Sequence, residues 1–218
     1  MRTRPARIII EGLDFAKPKE IALALSKSPG FIGQNEDHRF TSVISAKWGN
    51  FRDFPWGKGL IDFVPDEANQ VMKNYGVWVR LIELQLHYNW IIDRFHITTQ
   101  QYQLHTHNFA CDFKWLEERF LKLGFHLVHT TLNETALQER VLRQNNDNGI
   151  PNIEEIFQLQ NIAQEIVSNS ILPHIELDIS NLNIQATVAN ITDWYEEVYS
   201  YTPTDDHQSD RIFLPSCS

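Results

Sequence analysis

Short apolar runs alternate along the chain with longer segments in which apolar residues recur every three or four positions. The short runs predict buried β-strands, and the longer segments predict helices. Strands that alternate with helices are typical of a parallel sheet covered by helices, so the pattern predicts an α/β fold with a five-stranded parallel sheet. The predicted strands are Arg7 to Ile10, Phe40 to Ser45, Trp90 to Asp93, Phe125 to His129 and Ile175 to Asp178.

Helix signals fill most of the segments between these strands. The nearly continuous apolar residues from Ile21 to Leu25 predict a buried helix over Lys19 to Ser26. Gly124 is a C-terminal cap signal and Asn133 an N-terminal one. The other predicted helices are Asp66 to Tyr88, Phe113 to Leu123, Asn133 to about Arg143, Asn152 to Ser168 and Ile184 to Tyr199.

Three segments carry neither signal: Lys47 to Lys58, the polar segment Gln144 to Pro151 and the residues from Tyr201 onward. Lys47 to Lys58 holds two Trp and two Phe, which predicts a loop that packs on the core or lines an acceptor pocket or partner surface, with Arg52 available for an anion. We interpret His105 and His107 as polar loop residues rather than zinc ligands. The residues from Tyr201 onward predict a loose C-terminal tail.

The amino-acid composition argues against several classes of function. The 218 residues carry a formal net charge of −9, which argues against a general affinity for nucleic acid or for anionic membranes. Only two cysteines occur, so no disulfide framework is indicated. Because no apolar stretch reaches membrane-spanning length, we expect a cytoplasmic protein.

The first candidate motif, EGLDFAKPKE, follows the first strand and leads into a buried helix. This is the arrangement in which backbone N–H groups at a helix start bind phosphate, with the consensus GxxxxGK followed by Ser or Thr. Gly12 takes the first position, but Lys17, Pro18 and Lys19 replace the second glycine, the lysine and the hydroxyl. Pro18 lacks an N–H, and the Cβ of Lys17 opposes left-handed backbone angles. Taken alone, the segment fits a simple strand-to-helix turn better than a phosphate loop.

The second motif, WIIDRFHITTQQYQ, spans residues 90 to 103. Asp93 ends a predicted parallel strand, at the edge where such sheets bind ligands, and could hold magnesium. Arg94 offers a bidentate fork for phosphate. The alternative is that Asp93 and Arg94 pair with each other or cap a helix.

Together the two motifs resemble the thymidylate kinase family of P-loop kinases. In the family, the phosphate loop is FEGLDGAGKTT and the third strand ends in DR, followed by a segment close to STQAYQ. This chain has DRF, two further residues and TTQQYQ, and its first motif matches at Glu11, Gly12, Leu13, Asp14 and Ala16. The resemblance implies a three-layer P-loop kinase-like fold, with a single domain over residues 1–200 and a lid-like segment near 140–152.

The resemblance also implies roles for individual residues. Asp14 would lie near the acceptor and the transferred phosphate, Asp93 would bind Mg²⁺, and Arg94 would contact phosphates. The donor loop would use Gly12, Lys17 and Lys19, and the lid Arg140 and Arg143, whereas Arg52, Thr98, Gln101 and Tyr102 would serve the acceptor.

Three functions remain open at this stage. The favoured one is a nucleotide-binding protein with a retained acceptor side and a degenerate donor loop, whose kinase activity is weak, altered or lost. The second is an active nucleotide or nucleoside kinase that uses Mg²⁺ and ATP, and the third is a pseudoenzyme that binds a protein partner. The resemblance further implies a homodimer.

Overall fold

The computed structural model describes residues 5–28, 41–45, 60–86, 88–144 and 152–201. The predicted aromatic loop with Arg52, the tail beyond Tyr201 and the middle of the lid-like segment lie outside these ranges.

Five parallel strands form the sheet, in the order β2-β3-β1-β4-β5. The predicted α/β fold with a parallel sheet flanked by helices is confirmed. Because β1 lies between β3 and β4, Ile10 pairs with Asp93 and Gly12 with Thr130. The strands are β1 (Arg7–Gly12), β2 (Thr41–Ser45), β3 (Asn89–Asp93), β4 (His126–Thr131) and β5 (His174–Asp178).

Seven α-helices occur within the described ranges. They are α1 (Pro18–Leu25), α2 (Ala68–Leu84), α3 (His96–His107), α4 (Lys114–Lys122), α5 (Glu134–Gln144), α6 (Ile153–Ser168) and α7 (Ile184–Tyr201). Two 3-10 turns, Asp14–Ala16 and Pro65–Glu67, precede α1 and α2. The predicted helix from Asp66 to Tyr88 is therefore shorter at both ends.

Helix α3 corrects the interpretation of His105 and His107, which lie in this helix and not in a loop. Apolar periodicity could not predict α3, because several of the side chains that it buries are polar. Tyr75 Oη lies 2.6 Å from Thr99 Oγ1, and Gln103 Nε2 donates to the carbonyls of Ile61 and Phe63. These hydrogen bonds replace apolar contacts and fix α3 beside α2.

Hydrophobic cores lie on both faces of the sheet. Ile9 belongs to the core formed with α2, α3 and α4, whereas Ile8 and Ile10 belong to the core formed with α1, α5 and α7. His126 and His129 point to opposite faces, as their odd spacing predicts, and the His126 ring lies 4.8 Å from that of Tyr195 in α7. Among the described helices, none is both long and apolar enough to cross a membrane.

Candidate functional site

The candidate site lies where the carboxyl ends of β1 and β3 meet. Arg94 follows β3 directly, and its Nε and Nη2 donate to the two oxygens of Asp93 at 3.0 and 3.2 Å. The third nitrogen, Nη1, contacts the carboxylate of Asp14, which lies 80 residues earlier in the loop after β1. One guanidinium thus joins the two sequence motifs.

Burial divides this cluster into an inner and an outer part. The side chains of Arg94 and Asp93 are 5% and 3% exposed, whereas that of Asp14 is 58% exposed. Desolvation lowers the pKa of Arg94 to about 10, and the nearby Glu11 charge opposes that shift. Arg94 is therefore charged at neutral pH, and Asp14 occupies the solvent-facing side of its fork.

Asp93 shows the pairing that the sequence left as its alternative role. Both of its oxygens accept hydrogen bonds from Arg94. Within the described ranges, no group of three His, Cys, Asp or Glu side chains is arranged to hold a metal ion. The predicted Mg²⁺ role of Asp93 remains a prediction, and it requires Asp93 to share its oxygens with Arg94.

The loop after β1 has unusual backbone angles at the two glycine positions of the GxxxxGK consensus. Gly12 has φ of 148°, and a Cβ at this position would lie 2.7 Å from the carbonyl oxygen of Thr130, so only glycine fits. Lys17 has φ 54° and ψ 44°, in the left-handed region, although its Cβ makes these angles costly by about 1–2 kcal/mol. The left-handed residue thus lies where the family consensus has its second glycine.

The cations of this loop point to solvent at the start of α1. Lys17 and Lys19 are exposed, while Pro18 between them is buried as the first residue of the helix. Neither lysine forms an ion pair with any residue that the structure describes. Their charges and the helix N-terminus are the features here that can attract an anion.

The predicted lid arginines differ from each other in their surroundings. Arg140 donates to the carbonyls of Phe15 and Ile179, both at 3.0 Å, and so ties the loop after β1 to the end of β5. Arg143 has a 78% exposed side chain, and its guanidinium lies 3.4 Å from Glu139. Arg140 therefore supports the backbone of the loop after β1. The phosphate roles of both arginines remain predictions.

Of the predicted acceptor residues on α3, Thr98 adjoins the cluster. Its hydroxyl donates to Glu11 at 2.6 Å. Gln101 is buried and donates to the carbonyl of Leu159 in α6 at 2.7 Å, and Tyr102 packs half-buried against the core that contains Ile9. Acceptor roles for these three residues remain predictions.

Glu11 is the site residue that the sequence analysis did not select. It is fully buried, and one oxygen accepts from the backbone N–H groups of Phe95 and Ile97 at 2.9 and 3.1 Å. Burial raises its pKa, while the neighbouring His96 and the hydrogen bonds oppose the shift. The available signal was a carboxylate at the end of an apolar strand, which must be paired when buried.

A separate cavity of about 510 Å³ lies between α3, α4 and α6. Glu117 forms part of its wall and accepts hydrogen bonds from His96, Ser170 and the Ile171 N–H. None of the predicted site residues lines this cavity. It is therefore distinct from the cluster around Arg94.

These features define a parallel α/β protein with an ionic cluster and a helix start at the carboxyl edge of its central strands, where such folds bind ligands. The chain is similar in structure to the YorR protein from Bacillus subtilis, which was crystallised in complex with phosphorylated GDP. The TM-score is 0.63 and the sequence identity 17%, and the match covers 91% of this chain and 100% of YorR. This similarity supports the fold. The sequence matches no protein-family model and no curated protein.

Proposed function

We propose that this protein binds a nucleotide at the carboxyl edge of β1 and β3. The observation that carries the proposal is the bridge from Arg94 to Asp93 and Asp14, beside the left-handed turn that begins α1. YorR provides independent support, because its crystal structure contains phosphorylated GDP.

Asp14 is the part of the cluster that a ligand phosphate would displace. Its side chain is exposed while Arg94 is buried, so Asp14 can turn toward solvent and release one edge of the guanidinium fork. Lys17 and Lys19 would then approach the phosphate from the start of α1. Binding would exchange one carboxylate on Arg94 for a phosphate oxygen and so would keep the buried guanidinium paired.

Asp14 and Asp93 supply carboxylate oxygens, the ligand type that Mg²⁺ prefers. With no three-ligand group among the described residues, Mg²⁺ would arrive on the nucleotide, as is common for this ion. When bound, it would neutralise phosphate charge.

The finer proposal is a thymidylate-kinase-like protein that retains the acceptor side and has a degenerate donor loop. Pro18 supplies no N–H to the donor phosphates, and phosphoryl transfer depends on positioned donors and charges. Loss of one such donor commonly reduces turnover by a factor of about 10²–10³. We therefore propose weak, altered or absent kinase activity.

The test of binding is thermal unfolding with Mg²⁺ and, in separate samples, GDP, GTP, ATP, thymidine monophosphate or thymidine. A ligand present at 100 times its dissociation constant stabilises the fold by about 2.7 kcal/mol, which raises Tm by roughly 5–10 °C at 2–4 °C per kcal/mol for a domain of this size. The proposal requires such a shift with at least one nucleotide. No shift with any of them at millimolar concentration would contradict it and favour the protein-partner alternative.

A matched pair of lysine substitutions locates the bound phosphate. Lys19→Gln removes a cation from the first turn of α1, and we expect it to raise the Kd for the nucleotide by about tenfold. Lys27→Gln removes another exposed cation roughly 12 Å away, beyond the other end of α1, and should leave the Kd unchanged. Equal effects of the two would place the phosphate elsewhere.

Turnover separates the proposal from the active-kinase alternative. Transfer of labelled phosphate from ATP to thymidine monophosphate or thymidine should be absent or slow even where the binding assay is positive. Fast transfer that Asp14→Asn abolishes would favour an active kinase with an atypical loop.

A further inference from the structure

Glu11 connects the end of β1 to the start of α3 by three hydrogen bonds. Its Oε1 accepts from the N–H groups of Phe95 and Ile97, and its Oε2 accepts from the Thr98 hydroxyl at 2.6 Å. The first amides of a helix have no partner within that helix, so an acceptor there fixes where the helix begins. Glu11 caps α3 from a strand 84 residues away in sequence.

Arg94 directly precedes Phe95, the first residue that Glu11 holds, and has a left-handed φ of 55°. A non-glycine residue holds such angles only where its surroundings fix them. The Arg94 N–H donates to the carbonyl of Ile10 at 2.8 Å, and the next N–H, that of Phe95, donates to Glu11. Two neighbouring residues of β1 therefore hold the peptide units on both sides of Arg94.

We propose that Glu11 is a positioning residue of the site: by capping α3 it holds the left-handed turn that directs the Arg94 guanidinium between Asp93 and Asp14. Glu11 acts through the reach of its carboxyl group and need not contact the ligand. The consequence for nucleotide binding rests on the function proposed above, whereas the consequence for Arg94 does not.

Two substitutions at position 11 separate reach from charge. Glu11→Gln keeps the length and one acceptor oxygen but removes the charge. Glu11→Asp keeps the charge but is shorter by one methylene, roughly 1.5 Å, which is enough to break a hydrogen bond of 2.9 Å. Gln160→Leu serves as the control, because Gln160 is also buried and bonds backbone groups, those of Leu132, without contacting Arg94.

Without ligand, the readout is the exchange of the Arg94 Nε–H hydrogen with solvent, followed by its NMR signal. This exchange is slow while Arg94 is held on Asp93. We expect Glu11→Asp to speed this exchange by about tenfold and Glu11→Gln by less than about threefold. Gln160→Leu should lower Tm without changing the signal. An equal or larger effect of Glu11→Gln would show that charge matters more than reach, and no effect of Glu11→Asp would show a merely structural residue; both results overturn the proposal.

The second readout is the Kd for the Mg²⁺ nucleotide that gives the largest thermal shift with the unsubstituted protein. We expect Glu11→Asp to raise this Kd by about tenfold and Glu11→Gln by less than about threefold. Should the unsubstituted protein bind no nucleotide, the proposed function fails, and the Arg94 signal still decides the role of Glu11.

Discussion

Left-handed backbone angles at residues other than glycine are concentrated at the candidate site. Within the described ranges they occur at Lys17, Arg94 and Asn108. Asn108 follows the end of α3, where asparagine is well tolerated. Lysine and arginine are not residue types that tolerate these angles well. Arg94 is the centre of the ionic cluster, and Lys17 follows Asp14 in the loop after β1. Strain of this kind is typical of ligand-binding segments, whose surroundings hold a costly conformation in place.

Lys17→Gly should stabilise the protein. Glycine adopts φ near 54° without the Cβ penalty of about 1–2 kcal/mol, and its greater freedom in the unfolded chain offsets part of this gain. We expect the free energy of unfolding to rise by about 0.5–1 kcal/mol, measured by urea denaturation at constant slope.

Lys19→Gly is the matched control for that substitution. It also replaces an exposed lysine by glycine, but in the first turn of α1, where helical angles make glycine unfavourable by up to about 1 kcal/mol. The two variants should therefore change stability in opposite directions. Destabilisation by both would contradict a left-handed residue at position 17.

His129 should make the protein sensitive to mild acid. Its ring is buried, its Nδ1 has no hydrogen-bond partner among the residues that the structure describes, and desolvation lowers its pKa to about 4. In the unfolded chain a histidine titrates near 6.5, so below that pH the unfolded state binds a proton that the folded state does not. The resulting loss of stability begins as the pH falls below about 6.5 and is complete below about 4, and it amounts to about 3 kcal/mol.

His129→Leu should remove this component. The stability of the variant relative to the unsubstituted protein, measured by urea unfolding between pH 7 and pH 4, should increase by up to about 3 kcal/mol as the pH falls. Val77→Ala, at an exposed position of α2 that carries no titratable group, should leave the pH profile unchanged. If the stability of His129→Leu changed with pH in the same way as that of the unsubstituted protein, a buried neutral imidazole at position 129 would be contradicted.

At the scale of elements, the central strands β1, β3 and β4 were predictable because both of their faces are buried. β1 therefore appears as a run of three isoleucines, and the charged residue that follows them, Glu11, marks the carboxyl edge of the sheet. Helix α3 was not predictable from apolar periodicity, because its packing depends on hydrogen bonds from Thr99 and Gln103 to the chain before α2. Those partners exist only in the folded molecule.

The candidate site was predictable to the same extent as its strands. Asp93 and Arg94 end a strand, and Asp14 follows one, so the parallel order of β1 and β3 brings them together. The contacts of Glu11 with the start of α3 and of Arg140 with Phe15 join segments more than 80 residues apart, and no local pattern indicates which backbone group each will meet. The family resemblance indicated the positions of the candidate site residues, whereas the tertiary structure determines which neighbours each of them contacts.

At the scale of the whole molecule, the shared sheet should make the two cores unfold together. Ile8 and Ile9 are adjacent in β1, both are fully buried, and they belong to the cores on opposite faces. Ile8→Val and Ile9→Val each remove one methyl group, and we expect each to lower the free energy of unfolding by about 1 kcal/mol. Because β1 contributes to both cores, either change should weaken both helical layers equally.

Native-state hydrogen exchange provides the measurement. The most protected amides of α1 and those of α4, which lie on opposite faces, should lose the same protection in each variant, about fivefold for 1 kcal/mol. Val77→Ala, at a 70% exposed position of α2, should change neither set by more than about twofold. If Ile8→Val affected the amides of α1 alone and Ile9→Val those of α4 alone, the two layers would unfold separately. A nucleotide bound at the proposed site, the carboxyl edge of β1 and β3, would then stabilise only part of the chain, whereas a shared transition lets a ligand at that edge stabilise all of it.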